Sequence, residues 1–127
     1  GDLYSSTIPC LLMGGMKEAF KKTKAKKVLV CNAMTKHGET NNFSVSDFAS
    51  EMEKYMDCPL DFIIYNAEIP SKERVDEYKK EELGILDLVK TDKGLDDKKF
   101  ISSNILINDG PIVYDPEKLV KLIMSLA

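Results

Sequence analysis

The chain has 127 residues, a length that indicates one domain. Hydrophobic residues make up 43% and charged residues 31%, which is typical of a globular domain with a sizeable core. The net charge of −3 argues against a nucleic-acid partner, and no apolar run approaches the roughly 20 residues of a membrane span.

Few side chains are available for chemistry. Arg74 is the only arginine and His37 the only histidine, and the three cysteines are far apart and form no CxxC pair. A zinc site and a mechanism based on a Ser-His or Cys-His pair are therefore disfavoured. The odd cysteine count, without a signal peptide, predicts a cytoplasmic location, and the start at Gly1 without methionine predicts a piece of a longer protein.

The first half of the chain predicts two helices and two buried strands. Apolar residues from Ile8 to Phe20 recur at helical spacing, with Ser5 or Ser6 as cap and Gly14-Gly15 dividing the helix. Residues 27–32 form a short strand, and residues 33–43 form a polar connection. A helix over 45–56 follows, with Ser44 as its cap, and residues 61–66 form the second strand.

The second half continues the alternation. Pro70-Ser71 opens a charged helix to about residue 80, residues 83–89 form a short strand, and residues 100–107 form a longer one. Asp115 and Pro116 start the last helix. The pattern predicts an α/β fold over residues 1–127, Rossmann-like, with a parallel sheet between two helical layers. Ligands would bind in the loops after Asn32, Asn66 and Ile107, at the carboxyl ends of the strands.

Two segments combine the residue types that ligand sites use. Glycine and small hydroxyls at residues 1–7 suit a diphosphate at a helix N-terminus, although an ordinary serine-capped helix start would look the same. Residues 32–40 place an amide, hydroxyls and a carboxylate after a strand, which suits a sugar or a base. A plain surface loop would also have this composition.

Both segments resemble the CofD/YvcK family. Gly-Asp-Leu-Tyr-Ser-Ser-Thr-Ile-Pro at residues 1–9 is similar to the family's glycine-rich segment, which continues Gly-(Ser/Asp)-Leu-Tyr-Thr-Ser before Pro-Asn-Leu-Leu. Val-Cys-Asn-Ala-Met-Thr-Lys-His-Gly-Glu-Thr at residues 30–40 is similar to the family's Val-Cys-Asn-x-Met-Thr-Gln-Pro-Gly-Glu-Thr. The similarity covers the carboxyl-terminal part of the family's fold and lacks its amino-terminal Gly-Gly-Thr-Gly phosphate loop.

The resemblance implies a function in two versions. The YvcK branch, called gluconeogenesis factor, implies a nucleotide-sugar (UDP-sugar) or nucleotide-diphosphate binder that regulates cell-envelope growth or central carbon metabolism. The CofD branch implies a 2-phospho-L-lactate transferase of deazaflavin-cofactor synthesis. Partners would be that ligand, the missing amino-terminal half and a second copy in a homo-oligomer. Mg²⁺ accompanying a nucleotide diphosphate is the one cofactor considered.

The resemblance also implies the site residues. No residue is assigned a catalytic role, and the choice between binding protein and transferase stays open. Val113 stands where YvcK-like chains tend to have arginine, which removes a cation suited to a phosphate. The implied ligand-binding residues are Gly1, Asp2, Leu3, Tyr4, Ser5, Ser6, Asn32, Met34, Thr35, Gly38, Glu39, Thr40 and Tyr78.

Overall fold

The computed structural model describes residues 1–126. Helices and strands alternate over much of the chain, but in two places one strand follows another directly. The elements in chain order are a π-helical turn Leu3–Thr7, α1 Ile8–Leu11, α2 Met16–Lys22, β1 Val28–Val30, β2 Met34–Lys36, α3 Val45–Met56, β3 Phe62–Asn66, α4 Lys72–Glu81, β4 Ile85–Leu88, β5 Phe100–Ser103 and α5 Pro116–Ser125.

The amino-terminal helix is divided where the sequence predicts. Gly15 has φ +84°, a left-handed conformation that glycine adopts without steric cost, so α1 ends before it and α2 begins after it. The predicted serine cap is wrong. Ser5 and Ser6 lie inside the π-helical turn, and Thr7, which precedes α1, makes no side-chain capping bond.

The central sheet is parallel and has the strand order β1-β3-β5. Strand β1 pairs with β3 from Val28 opposite Phe62, and β3 pairs with β5 from Ile63 opposite Phe100. Ile63 and Ile64 are fully buried in the middle strand. Helices flank this sheet, so the expected α/β architecture is confirmed.

A second, two-stranded sheet departs from the expectation. Residues 33–43 were expected to be a loop, but β2 lies within them and pairs antiparallel with β4, with Met34 opposite Leu88. Residues 83–89 do contain the expected strand, yet it belongs to this small sheet and not to the parallel one. The expected strand over 100–107 ends at Ser103, and Leu106 makes only an isolated bridge to Tyr114.

Helix α3 provides most of the helical contribution to the core. Five of its residues are buried: Val45, Phe48, Ala49, Met52 and Met56. Ser44 caps its start, as the sequence predicts, and Asp47 completes a capping box. The Asp47 amide donates to Ser44 Oγ, and the Ser44 amide donates to Asp47 Oδ2 at 2.8 Å. Among residues 1–126, no helix combines the length and the apolar character that crossing a membrane requires.

Candidate functional site

Two open cavities meet at Asn32 and Ala33, directly after β1. The first, which we call the strand-end cavity, has a volume of about 540 Å³ and lies at the carboxyl ends of the parallel strands. The second, which we call the Tyr78 cavity, has a volume of about 420 Å³. Both volumes lie in the range of small-molecule sites. Asn32 is the predicted ligand residue that lines both.

The strand-end cavity contains residues that the sequence analysis did not assign to ligand binding. Asn66 lines it, but its side chain bonds within the protein: Nδ2 donates to the Glu68 carbonyl at 2.7 Å and Oδ1 accepts from the Ile105 amide at 3.3 Å. Thr91 and Ser102 add hydroxyls to the lining. The asparagine that ends β3 was the only sequence signal for this part of the site.

The helix N-terminus beside the strand-end cavity already has an acidic partner. Asp92 Oδ2 accepts from the Ser46 amide at 2.9 Å in the first turn of α3. Burial opposes ionisation of Asp92, but the bonds from Ser46 and Ser44 outweigh it and hold its pKa below the usual value. The positive end of α3 is therefore neutralised within the protein and is not free for a phosphate.

The Tyr78 cavity brings together three predicted ligand residues from distant parts of the sequence. Gly1, Asn32 and Tyr78 line it, and Asn32 Nδ2 donates to the Gly1 carbonyl at 3.2 Å. Ile112–Tyr114 form another part of its wall, and Tyr78 packs against the cluster that contains Ile112. Burial, aided by the charges of Glu82 and Asp2, raises the pKa of Tyr78, so at neutral pH its hydroxyl is protonated and can donate.

A small charged cluster ties the two predicted segments together. Lys36 forms an ion pair with Asp2, and its Nζ lies 3.9 Å from Glu39 Oε1. The bond from Lys36 to Asp2 raises the pKa of Lys36. Glu39 Oε2 is buried and finds no hydrogen-bond partner among residues 1–126. An unpaired buried carboxylate oxygen is costly, which makes Glu39 a candidate acceptor for a donor from outside this chain.

Four of the implied ligand residues are buried in the fold. Leu3 is in the main core, and Met34 packs against Leu106 and Ile112. The Thr35 hydroxyl donates to the Asp87 carbonyl at 3.1 Å and accepts from the Asp87 amide at 3.2 Å, joining β2 to β4. Thr40 Oγ1 accepts from the Lys36 amide at 2.9 Å. These side chains build the loop, and none of them lines the two cavities described above.

The remaining implied residues are the half-buried Tyr4 and three exposed residues. Tyr4 donates to Glu51 Oε2 at 2.7 Å, and burial together with this carboxylate raises the pKa of Tyr4 to about 12. This bond attaches the π-helical turn to α3. Ser5, Ser6 and Gly38 are exposed, and Gly38 has φ +77° in the turn after β2.

The described residues provide no ready metal centre. No group of three or more histidine, cysteine, aspartate or glutamate side chains within residues 1–126 is arranged to hold a metal ion. Asp2 and Glu39 are the carboxylates of the charged cluster, and the Lys36 ammonium lies between them. The residues present therefore do not fit a Mg²⁺ site of their own, and no chemical step is derived through that ion.

Comparison with known proteins identifies the family. The family model described as 2-phospho-L-lactate transferase CofD matches residues 1–106, which is more than half of the chain. The chain belongs to the CofD family. Both segments on which the resemblance rested, residues 1–9 and 30–40, lie inside the matched region. The match ends before α5 and before the Ile112–Tyr114 wall of the Tyr78 cavity.

Individual relatives agree with this assignment. A protein of Thermotoga maritima named "Putative gluconeogenesis factor" is 47% identical over 81 residues, and one of the same name from Clostridium acetobutylicum is 35% identical over 98% of the chain. A crystal structure of a UPF0052 family member from Bacillus halodurans superposes on 98% of the chain with a TM-score of 0.84 and 28% identity. The chain spans 26%, 28% and 40% of the lengths of these three proteins, respectively.

Proposed function

We propose that this chain is the ligand-binding carboxyl-terminal part of a YvcK-type protein and that its ligand is a nucleotide sugar such as a UDP-sugar. The observation that carries the proposal is the convergence of Gly1, Asn32 and Tyr78 on one cavity. These residues come from three segments of the sequence. An amide, backbone groups and a half-buried tyrosine together suit a ligand with a flat base and several hydroxyls.

The available charges determine how the phosphates would be held. The only arginine, Arg74, donates to three backbone carbonyls and is not free for a phosphate. Val113, at the wall of the Tyr78 cavity, supplies no cation. Backbone amides, lysine and the amino-terminal half of the parent protein would therefore have to hold the diphosphate. We expect this chain alone to bind UDP-sugars only weakly.

The buried oxygen of Glu39 supports a hydroxyl-bearing ligand. The cluster of Asp2, Lys36 and Glu39 has one positive and two negative groups, so it does not favour an additional anion. A sugar hydroxyl or a base N–H would instead satisfy Glu39 Oε2 without adding negative charge. The phosphates would then lie away from this cluster, and the sugar or base would lie towards it.

A titration followed by ¹H–¹⁵N NMR tests the proposal directly. UDP-N-acetylglucosamine, UDP-glucose and GDP are added separately to the chain, and shifts are expected at Asp2, Leu3, Asn32 and Tyr78 with dissociation constants well above micromolar. Tyr78→Ala should weaken binding, whereas Tyr55→Ala, a half-buried tyrosine on α3, should not. Shifts confined to other surfaces would refute the site. Submicromolar affinity of this chain alone would refute the expectation that the amino-terminal half of the parent protein is needed for tight binding.

The CofD family's transferase activity is the second candidate, supported by the description of the family model. A transferase would release a nucleotide product in a Mg²⁺-dependent reaction of the full-length parent. We expect binding without such release, because the acids beside the two motifs are already engaged: Asp2 pairs with Lys36, Glu51 accepts from Tyr4, and Asp47 caps α3. Release abolished by Glu39→Gln with binding intact would decide for the enzyme. The regulatory role in cell-envelope or carbon metabolism, a cytoplasmic location and a homo-oligomer belong to the first proposal.

A further inference from the structure

Arg74 holds a turn of the backbone, although arginine most often binds carboxylates or phosphates. Its Nε donates to the Gly110 carbonyl at 2.7 Å, and its Nη2 donates to the carbonyls of Ile107 and Pro111 at 2.8 and 2.9 Å. None of the ion pairs formed within residues 1–126 includes it. The planar fork of the guanidinium is suited to reaching several acceptors at fixed angles.

The turn that Arg74 holds continues directly into the wall of the Tyr78 cavity. Ile112 is 3% exposed and packs with Met34 and Leu106, and Tyr114 donates its hydroxyl to the Cys31 carbonyl. Tyr114 therefore fixes the far end of the wall to the loop after β1. Arg74 fixes its near end from α4, the helix that also carries Tyr78.

We propose that Arg74 is a positioning residue that sets the separation between the Ile112–Tyr114 wall and Tyr78. The inference deepens the proposed function, on which its ligand readout rests. One side chain relates Tyr78 to this wall, because Tyr78 and Arg74 lie one turn apart on α4 while the guanidinium bonds the backbone that leads into Ile112–Tyr114. Arg74 does not contact the ligand. It determines the width of the space that the ligand enters.

The comparison of Arg74→Lys with Lys79→Met tests the proposal. Lysine keeps the positive charge but cannot reach three carbonyls in a fixed fork. Lys79 lies on the same helix, and its Nζ pairs with Asp87 Oδ1 at 2.9 Å. Lys79→Met is therefore a matched control that removes one polar contact of α4 without touching the turn held by Arg74. Both variants should fold, because none of the α4 residues Lys72–Glu81 is buried.

Two readouts are measured on the 127-residue chain and its variants. Amide hydrogen exchange at Val113 and Asp115, whose amides donate to the Pro111 carbonyl at 3.0 Å and the Ile105 carbonyl at 2.7 Å, should become at least about tenfold faster in Arg74→Lys and stay unchanged in Lys79→Met. Affinity for UDP-N-acetylglucosamine should fall about tenfold in Arg74→Lys and stay unchanged in Lys79→Met. Each variant is measured at a temperature the same number of degrees below its own Tm.

The outcomes separate this proposal from the proposed function. Unchanged exchange at Val113 and Asp115 in Arg74→Lys would overturn the positioning role, whether or not the ligand binds. Altered exchange with unaltered affinity would also overturn it, because the wall would then not matter for the ligand. Wild-type chain that binds no UDP-sugar refutes the proposed function, and with it the ligand part of this inference, while the exchange comparison still decides whether Arg74 holds the wall.

Discussion

The two sides of this molecule are stabilised in different ways. Among residues 1–126, thirteen buried residues form one cluster around the parallel sheet and α3, with Phe48, Met56 and Ile63 at most 2% exposed. In the same described part of the chain, three buried residues form the second cluster, around the β2–β4 sheet: Met34, Leu106 and Ile112. The second region also includes α4, β4 and α5, and none of the residues in these three elements is buried.

Polar contacts replace the missing apolar burial in the second region. Arg74 and Lys118 both donate to backbone carbonyls of the segment after β5, and Thr35 exchanges two bonds with the Asp87 backbone. Such bonds contribute less net free energy than a packed core, so this region should open at lower cost. The Tyr78 cavity lies where the two regions meet. A site at this position can have one rigid wall, from β1, and one adjustable wall, from Ile112–Tyr114.

The largest expected effect is the loss of a core side chain in the first region. Phe48→Ala should lower the free energy of unfolding by about 3 to 5 kcal/mol, because it removes a 1% exposed aromatic ring that stacks edge-on against Phe43. Val120→Ala in α5, where valine is 57% exposed, should change it by less than about 0.5 kcal/mol. Urea denaturation measures both. Similar losses in the two variants would contradict the comparison.

Helix capping should show the same difference on a smaller scale. Ser44→Ala removes the cap of α3 and should cost about 1 kcal/mol in global unfolding. Ser71→Ala removes the equivalent cap of α4, where Ser71 Oγ accepts from the Arg74 amide at 3.2 Å. Because α4 is lightly packed, this change should mainly speed amide exchange at its first turn and leave global stability almost unchanged. A full 1 kcal/mol loss in Ser71→Ala would show that α4 unfolds with the core.

Acid should weaken the first region through Asp61. Its carboxylate accepts from the Lys27 amide at 2.7 Å and pairs with Lys27 Nζ at 3.3 Å, and these bonds, the backbone one foremost, lower the pKa of Asp61 from 3.8. Because this pKa is lower in the folded than in the unfolded protein, ionised Asp61 stabilises the folded state at pH values above its pKa in the unfolded protein. That stabilisation is lost as the pH falls through its pKa in the folded protein. The free energy of unfolding, measured by urea denaturation at a series of pH values, should therefore decrease less steeply below about pH 4 in Asp61→Asn than in wild type. Lys27→Met, which keeps the backbone bond, should lie between them.

The sequence predicted those elements whose signals are local. Apolar spacing and the Ser44 cap placed α3 at its observed bounds, and Asp115-Pro116 placed the start of α5. Strand β2 was missed because it is three residues long and pairs with residues about fifty positions away. Ile105 and Leu106 were assigned to a strand because they are apolar, but they are buried without joining the parallel sheet.

The candidate site was predictable in part, from strand ends and from the resemblance to the family. Asn32 was indicated by its position at the end of a buried strand and by the resemblance, and Tyr78 by the resemblance alone, and the fold places both at one cavity. Thr35 and Thr40 have the same hydroxyl chemistry, and no local pattern indicates that their hydroxyls are satisfied by backbone groups. The role of Arg74 had no sequence signal, since its acceptors are carbonyls that every residue has.

The smallest expected effect concerns the adjustable wall itself. Val113 is 40% exposed and lines the Tyr78 cavity, and the resemblance to YvcK-like chains implies an arginine at this position. Val113→Arg should raise the affinity for UDP-N-acetylglucosamine about two- to fivefold, because an exposed ion pair with a phosphate contributes about 0.5 to 1 kcal/mol. The gain should shrink as salt is added, since exposed charges are screened.

Val120→Arg is the matched control for this change. It adds the same charge at a more exposed valine, which lies on α5 and does not line the Tyr78 cavity. If the added charge only attracts the anionic ligand to the chain as a whole, affinity should rise equally in both variants. A gain in Val113→Arg alone would show that the wall faces the ligand's phosphates, and Tyr78 would then face its base or sugar. Equal gains would mean that the wall lies away from the phosphates, and the orientation inferred from Glu39, with the sugar or base towards the Asp2–Lys36 pair, would have to be reversed.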